Sequence, residues 1–130
     1  VKPSEVRILI VDDVHAVRMQ VRELLAQAGF KNVKTAPSGA EARQILASEP
    51  MDLILSDWRM APVGGLELLA SLREDPKLKS IPFVMLTAES TKERVVSAIR
   101  SGVDDYIVKP LSVDLVQTKV MGVLLRKQVI

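Results

Sequence analysis

Arg7-Ile-Leu-Ile-Val-Asp-Asp-Val-His15 (RILIVDDVH) runs four apolar residues straight into two adjacent carboxylates. A run of that length and Ile/Leu/Val content suits a strand buried on both faces. Like charges side by side repel, so the point where Asp12 and Asp13 leave a core strand needs a compensating partner. The same grammar recurs downstream. NVKTA (32–36), DLILS (52–56), PFVMLT (82–87) and DYIVK (105–109) are four further short runs of strand character.

Between these runs the apolar period lengthens to that of a helix. Val17, Val21, Leu24 and Ala28 recur every three or four residues, and Gly29 ends the stripe. Ser38, with Glu41 three residues on, reads as a capping box for a second helix whose inner face carries Ile45 and Leu46. Leu66, Leu69 and Leu72 line a third helix; Val95, Val96 and Ile99 line a fourth that Gly102 closes. Ser112 caps a fifth, with Leu115, Val116, Val120, Val123 and Leu124 inward. Five βα units with short connections predict a doubly wound α/β fold with a five-stranded parallel sheet and helices on both faces. A (βα)8 barrel would need about 250 residues; 130 are present.

Composition narrows the function classes. With 48% apolar and 26% charged residues the chain is expected to be globular, one domain over residues 1–130, with no output domain expected within them. The absence of cysteine excludes disulfides, thiolate metal sites and a cysteine nucleophile. The net charge of +2 is scattered and only four aromatics occur, Phe30, Trp58, Phe83 and Tyr106, so neither a basic stripe nor a stacking surface for nucleic acid is present. No apolar run approaches membrane-spanning length and no secretory leader opens the chain, so a soluble cytoplasmic protein is expected.

In open α/β sheets ligands sit beyond the carboxyl ends of the strands. The first strand ends there in Asp12-Asp13, the third in Asp57, the fourth in Thr87 and the fifth in Lys109-Pro110. Two carboxylates about 4 Å apart repel by about 4 kcal/mol at an effective dielectric of about 20, and three need a counter-charge. A hard cation such as Mg2+ suits carboxylate oxygens. A lone His15 cannot build a zinc site and is read as an exposed first-turn residue. Thr87 and Lys109 are superfluous for metal alone; a hydroxyl and an ammonium suit phosphoryl oxygens, with Asp57 as the carboxylate that accepts the group.

VDD (11–13), SDW (56–58), LTA (86–88) and YIVKP (106–110) together resemble the response-regulator receiver domains of two-component signalling, in order and across nearly the whole chain. Asp57-Trp58 and GLELL (65–69) look most like the stand-alone chemotaxis regulators of that family. The resemblance implies the flavodoxin-like (βα)5 strand order 2-1-3-4-5. It also implies phosphoryl transfer to Asp57 from a phosphohistidine on a histidine kinase or phosphotransfer protein. In that pattern Asp13 and Asp57 ligate Mg2+ directly, Asp12 through water, and the Arg59 carbonyl completes the set. Thr87 and Tyr106 act as switch residues, Lys109 contacts the phosphoryl group, and the Lys109–Pro110 bond is cis. Such a domain is a switch that catalyses its own phosphorylation and dephosphorylation, not an enzyme acting on other substrates.

The chain departs from the family where Met-Pro-x-Met-Asp-Gly is usual. Met60-Ala61-Pro62-Val63-Gly64-Gly65 keeps the loop length, shifts the proline and replaces an acid by glycine, lowering the preference for a helix start. Arg59 and Glu89, each two residues beyond a site residue, are expected to pair across the mouth and set the dephosphorylation rate. The output surface is expected on the fourth helix, fifth strand and fifth helix around Tyr106. There Val113, Met121 and Leu125 add apolar positions for a downstream protein or a homodimer. A receiver domain cut from a larger regulator or hybrid kinase would read the same way. A haloacid dehalogenase-type phosphatase is disfavoured because its nucleophile belongs to a first-strand DxD, and a nucleotide or flavin module because DDVHAV lacks glycines.

Overall fold

The computed structural model describes residues 2–58, 60, 64–88 and 92–130, with backbone only at 92, 94 and 95. A short 3-10 turn, Pro3–Glu5, leads into β1 (Arg7–Val11), α1 (His15–Gln27), β2 (Asn32–Ala36), α2 (Gly39–Ser48) and β3 (Leu53–Asp57). There follow α3 (Gly65–Arg73), β4 (Phe83–Thr87), α4 (Lys92–Arg100), β5 (Asp105–Val108) and α5 (Val113–Arg126). All pairings are parallel and the strand order is β2-β1-β3-β4-β5, the flavodoxin-like arrangement.

Strand alternation sorts the core into two layers. Ile8, Ile10, Leu53, Leu55, Val84, Leu86 and Ile107 face one way and pack with Val21 and Leu25 of α1 and Val116, Val120, Val123 and Leu124 of α5. Leu9, Val11, Ile54, Phe83 and Met85 face the other way, against α2, α3 and Ala98 of α4. Ser112 caps α5 as expected, its Oγ accepting from the Leu115 amide, while at α2 only the Ser38 half of the expected capping box forms among the described residues, Ser38 Oγ accepting from the Glu41 amide. Gly29 and Gly102 end α1 and α4 at φ 98° and 92°, a conformation costly for any residue with a Cβ.

Two inner stripes differ from expectation. In α4 it is Ala98 that is buried, while Ile99 is 59% exposed. Successive helical residues lie 100° apart, so turning the small Ala98 onto the sheet turns Ile99 outward. In α3 the buried leucines are Leu68, Leu69 and Leu72, with Leu66 only partly covered. The third strand starts one residue late, at Leu53, and ends on Asp57. Asp52 is diverted: its carboxylate accepts from the Arg7 amide at 2.8 Å and from the Arg7 guanidinium at 3.1 and 3.2 Å.

The amino ends of the strands are tied by charge. Arg73 donates to the carbonyls of Lys79, Ile81 and Gly102 and to Asp104 Oδ2. Asp104 Oδ2 also accepts from the Phe83 amide at 2.7 Å, and Lys127 Nζ lies 2.9 Å from Asp104 Oδ1. α3, α5 and the starts of β4 and β5 therefore meet on one carboxylate.

Candidate functional site at the carboxyl ends of the strands

Residues from the ends of four strands, β1, β3, β4 and β5, converge at the opposite end of the sheet. β1 and β3 are neighbours, with Val11 level with Ser56, so Asp12 and Asp57 emerge side by side. β4 and β5 bring Thr87 level with Val108, and the Lys109 amide donates to the Thr87 carbonyl at 2.8 Å. One carboxylate oxygen each from Asp12, Asp13 and Asp57 lies within 4.8 Å of the others. Lys109 Nζ stands 3.7 Å from Asp57 Oδ1 and 3.9 Å from Asp12 Oδ2. The Lys109–Pro110 bond is cis. Thr87 is buried, and Tyr106 is half-buried on the α4 side.

The three acids are not equivalent. Asp12 is fully buried; its Oδ1 accepts from the Val14 amide at 2.9 Å, while Oδ2 has no hydrogen-bond partner among the described residues. Lys109 at 3.9 Å offers that oxygen charge without a hydrogen bond. Asp57 is half-buried, with its Oδ1 accepting from the Trp58 amide at 2.9 Å, and Asp13 is exposed. Burial pushes the Asp12 carboxyl above the usual carboxylate range, and the Val14 amide and Lys109 do not fully offset it. Burial, reinforced by the Asp12 charge, pushes the Asp57 carboxyl up in the same sense despite Lys109. One ammonium does not balance three carboxylates. The orphaned Asp12 oxygen and the clustered acids fit a hard cation with oxygen ligands.

Capping of α1 does not account for the pair of acids. The N-cap position is Val14, no side chain caps it, and Asp13 makes no hydrogen bond among the described residues. Arg59 and Glu89, with Ala61, Pro62 and Val63, lie outside the described residues, and so do the carbonyl ligand and the ion pair placed on them.

Two contributors escaped the sequence reading. Gly65 opens α3 directly against the end of β3, its amide donating to the Trp58 carbonyl at 2.9 Å. A Cβ there would collide with the Asp57 carbonyl oxygen and lie 2.8 Å from Met85 Sδ. Arg18 donates from Nη1 to the main-chain oxygen of Asp12 at 2.6 Å. The available signal was a cation near a helix N-terminus, where the helix dipole disfavours one.

A five-stranded parallel sheet carrying three acids and a lysine on its carboxyl edge defines a receiver-type signalling domain. The chain belongs to the response regulator receiver domain family, whose model matches residues 8–121. Among curated relatives it is similar to chemotaxis protein CheY-3 of Vibrio cholerae, 37% identical over 116 residues and 89% of each chain. Chemotaxis protein CheY of Pseudomonas aeruginosa is 36% identical over 114 residues, 88% of this chain and 92% of that one. Among solved structures, chemotaxis response regulator CheY4 of Vibrio cholerae superposes with a TM-score of 0.84 at 30% identity, covering 92% and 98% of the two chains. The signal receiver domain of a histidine kinase from Syntrophus aciditrophicus gives 0.82 at 31% identity, covering 92% and 90%. No helix among the described residues is long and apolar enough to cross a membrane.

Proposed function

We propose that this domain is a phosphoacceptor switch of a two-component phosphorelay, with Asp57 as the residue phosphorylated. The observation that carries the reading is the approach of Lys109 Nζ to 3.7 Å from Asp57 Oδ1 within a cluster of three carboxylates. An Asp57 oxygen attacks the phosphorus of a phosphohistidine on a histidine kinase or phosphotransfer protein. The P–N bond breaks, an acyl phosphate forms and the imidazole takes back a proton. Asp12, Asp13 and Asp57, with the Arg59 carbonyl, would hold Mg2+, which when bound neutralises charge on the phosphoryl oxygens. Lys109 contributes a fixed positive charge beside the acceptor, and Thr87 a hydroxyl at the end of the adjoining strand.

Phosphorylation adds charge and acceptor oxygens that Lys109 and Thr87 bind better in one loop arrangement than in another, which shifts a two-state equilibrium. Tyr106, on the neighbouring strand, reports that shift to the face formed by α4, β5 and α5, where Ile99 and Leu125 are 59% and 58% exposed. That face would dock a downstream protein or a second copy. The relatives' names favour a chemotaxis pathway.

The test is intact mass after incubation with a small-molecule phosphoryl donor and Mg2+. One phosphate should add to wild type and none to Asp57→Asn, and chelation should abolish the gain. A phosphate that appears equally on Asp57→Asn would refute the assignment.

A further inference from the structure

Asp12 and Asp13 are consecutive, yet one carboxylate is buried and the other exposed. Their divergence is a matter of backbone, because Asp13 has no hydrogen bond of its own among the described residues. Three successive peptides set it. The Asp12 amide donates to the Ala36 carbonyl at 3.1 Å, continuing the β1–β2 ladder. The Val14 amide is held by Asp12 Oδ1 at 2.9 Å. The peptide between them is held through its carbonyl, on the Asp12 side, by Arg18 Nη1 at 2.6 Å. Of these three tethers, only Arg18 is a side chain from outside the turn.

The position of Arg18 runs against helix electrostatics. It lies four residues after the N-cap of α1, whose first turn has no acidic residue. A cation there faces the positive end of the helix dipole. Its half-buried guanidinium is oriented instead by Asp12, and its Nη2 lies 3.4 Å from Nδ1 of the exposed His15. A guanidinium reaches the carbonyl and the neighbouring ring from two separate nitrogens held in one plane, a fixed fork that a single ammonium nitrogen lacks.

We propose that Arg18 is a positioning residue for the cation site: its guanidinium clamps the Asp12–Asp13 turn so that Asp12 points into the protein and Asp13 stands beside it. The proposal rests on the metal reading above. The alternative is that Arg18 acts as a built-in competitor, its charge weakening cation binding, and the two roles have opposite signs. Under the clamp, removing Arg18 costs affinity although it removes a positive charge.

The test is a Mg2+ titration followed by the emission of Trp58, which adjoins Asp57 and is 8% exposed. Wild type, Arg18→Lys, Arg18→Ala and Asp57→Asn are compared, with melting temperature measured with and without saturating Mg2+. Arg18→Ala should raise the half-saturating Mg2+ concentration about 10–100-fold, the usual effect of losing an outer-shell partner. Arg18→Lys, which keeps the charge, should fall between Arg18→Ala and wild type. The Mg2+-induced rise in melting temperature should shrink, whereas a purely structural loss would lower both melting temperatures equally. Unchanged or tighter binding in Arg18→Ala, beside a normal wild-type response, overturns the clamp alone. If wild type does not respond to Mg2+, the metal reading falls and the clamp falls with it.

Discussion

Gly65 and Asp57 touch through backbone: the start of α3 rests on the carbonyl of the candidate phosphoacceptor, with no space for a Cβ between them. The helix and the strand thus fix each other, and the direction in which Asp57 leaves the sheet depends on a residue with no side chain.

Gly65→Ala must therefore push α3 away or distort the end of β3. Overpacking of this kind costs about 1–3 kcal/mol. Urea denaturation should show a loss of that size, and the Trp58 response to Mg2+ should weaken as Asp57 is displaced.

The acids themselves cost stability. Asp57 and Asp12 have carboxyl pKa values raised in the folded state, first by burial. A raised acid destabilises the fold at pH above its folded pKa, and the penalty disappears once pH falls below the unfolded value, about 3.9 for Asp. Without Mg2+, Asp57→Asn should be more stable than wild type at neutral pH, by about 1 kcal/mol or roughly 3–5 °C. Calorimetry at successively lower pH should show the gap closing.

Lys109 partly offsets that repulsion. Lys109→Met should lower stability in metal-free buffer by about 1–2 kcal/mol once screening is allowed for. Mg2+ should restore most of it, whereas phosphate uptake by Asp57 should stay slow, because the metal replaces the charge but not the contact with the phosphoryl group. Thermal shift and intact-mass time courses separate the two effects.

Asp52 titrates in the opposite sense. Burial alone would raise its pKa, but the hydrogen bonds and charge of Arg7 outweigh it and lower the value. A lowered acid stabilises the fold above the unfolded pKa and loses that contribution as pH falls through the folded one. Asp52→Ala should cost about 1 kcal/mol at pH 7, given the partial exposure of the pair. The difference from wild type should fade in strong acid, and phosphorylation of Asp57 should be unaffected.

Leu125 tests the proposed output face more cleanly than Met121. Met121 packs partly on the core, whereas Leu125 is 58% exposed. Leu125→Asp should leave melting temperature within about 1–2 °C of wild type, a surface-sized effect. It should also weaken self-association or partner capture in light scattering and pull-down measurements.

Periodicity carried most of the architecture, because strands buried on both faces and helices with one apolar stripe leave different marks in sequence. It misplaced Ile99, since burial in α4 follows the small Ala98 against the edge of the sheet and apolar identity alone cannot tell which of two adjacent residues turns inward. Asp12, Asp57, Thr87 and Lys109 were legible because each sits where an apolar run ends. Arg18 and Gly65 were not, because their parts are played on main-chain oxygens, which no residue code displays. The unequal burial of Asp12 and Asp13 depends on peptide orientation and was equally invisible.

Asp104 gathers Arg73, Lys127 and the Phe83 amide at the foot of the sheet, while the far end holds like charges that push one another apart. The domain is consequently stiff where it is anchored and sprung where it signals. Amide hydrogens near Asp104 should exchange slowly and at much the same pace in every ligand state, leaving the change in protection to the rim around Asp13 and to the α4–β5–α5 face.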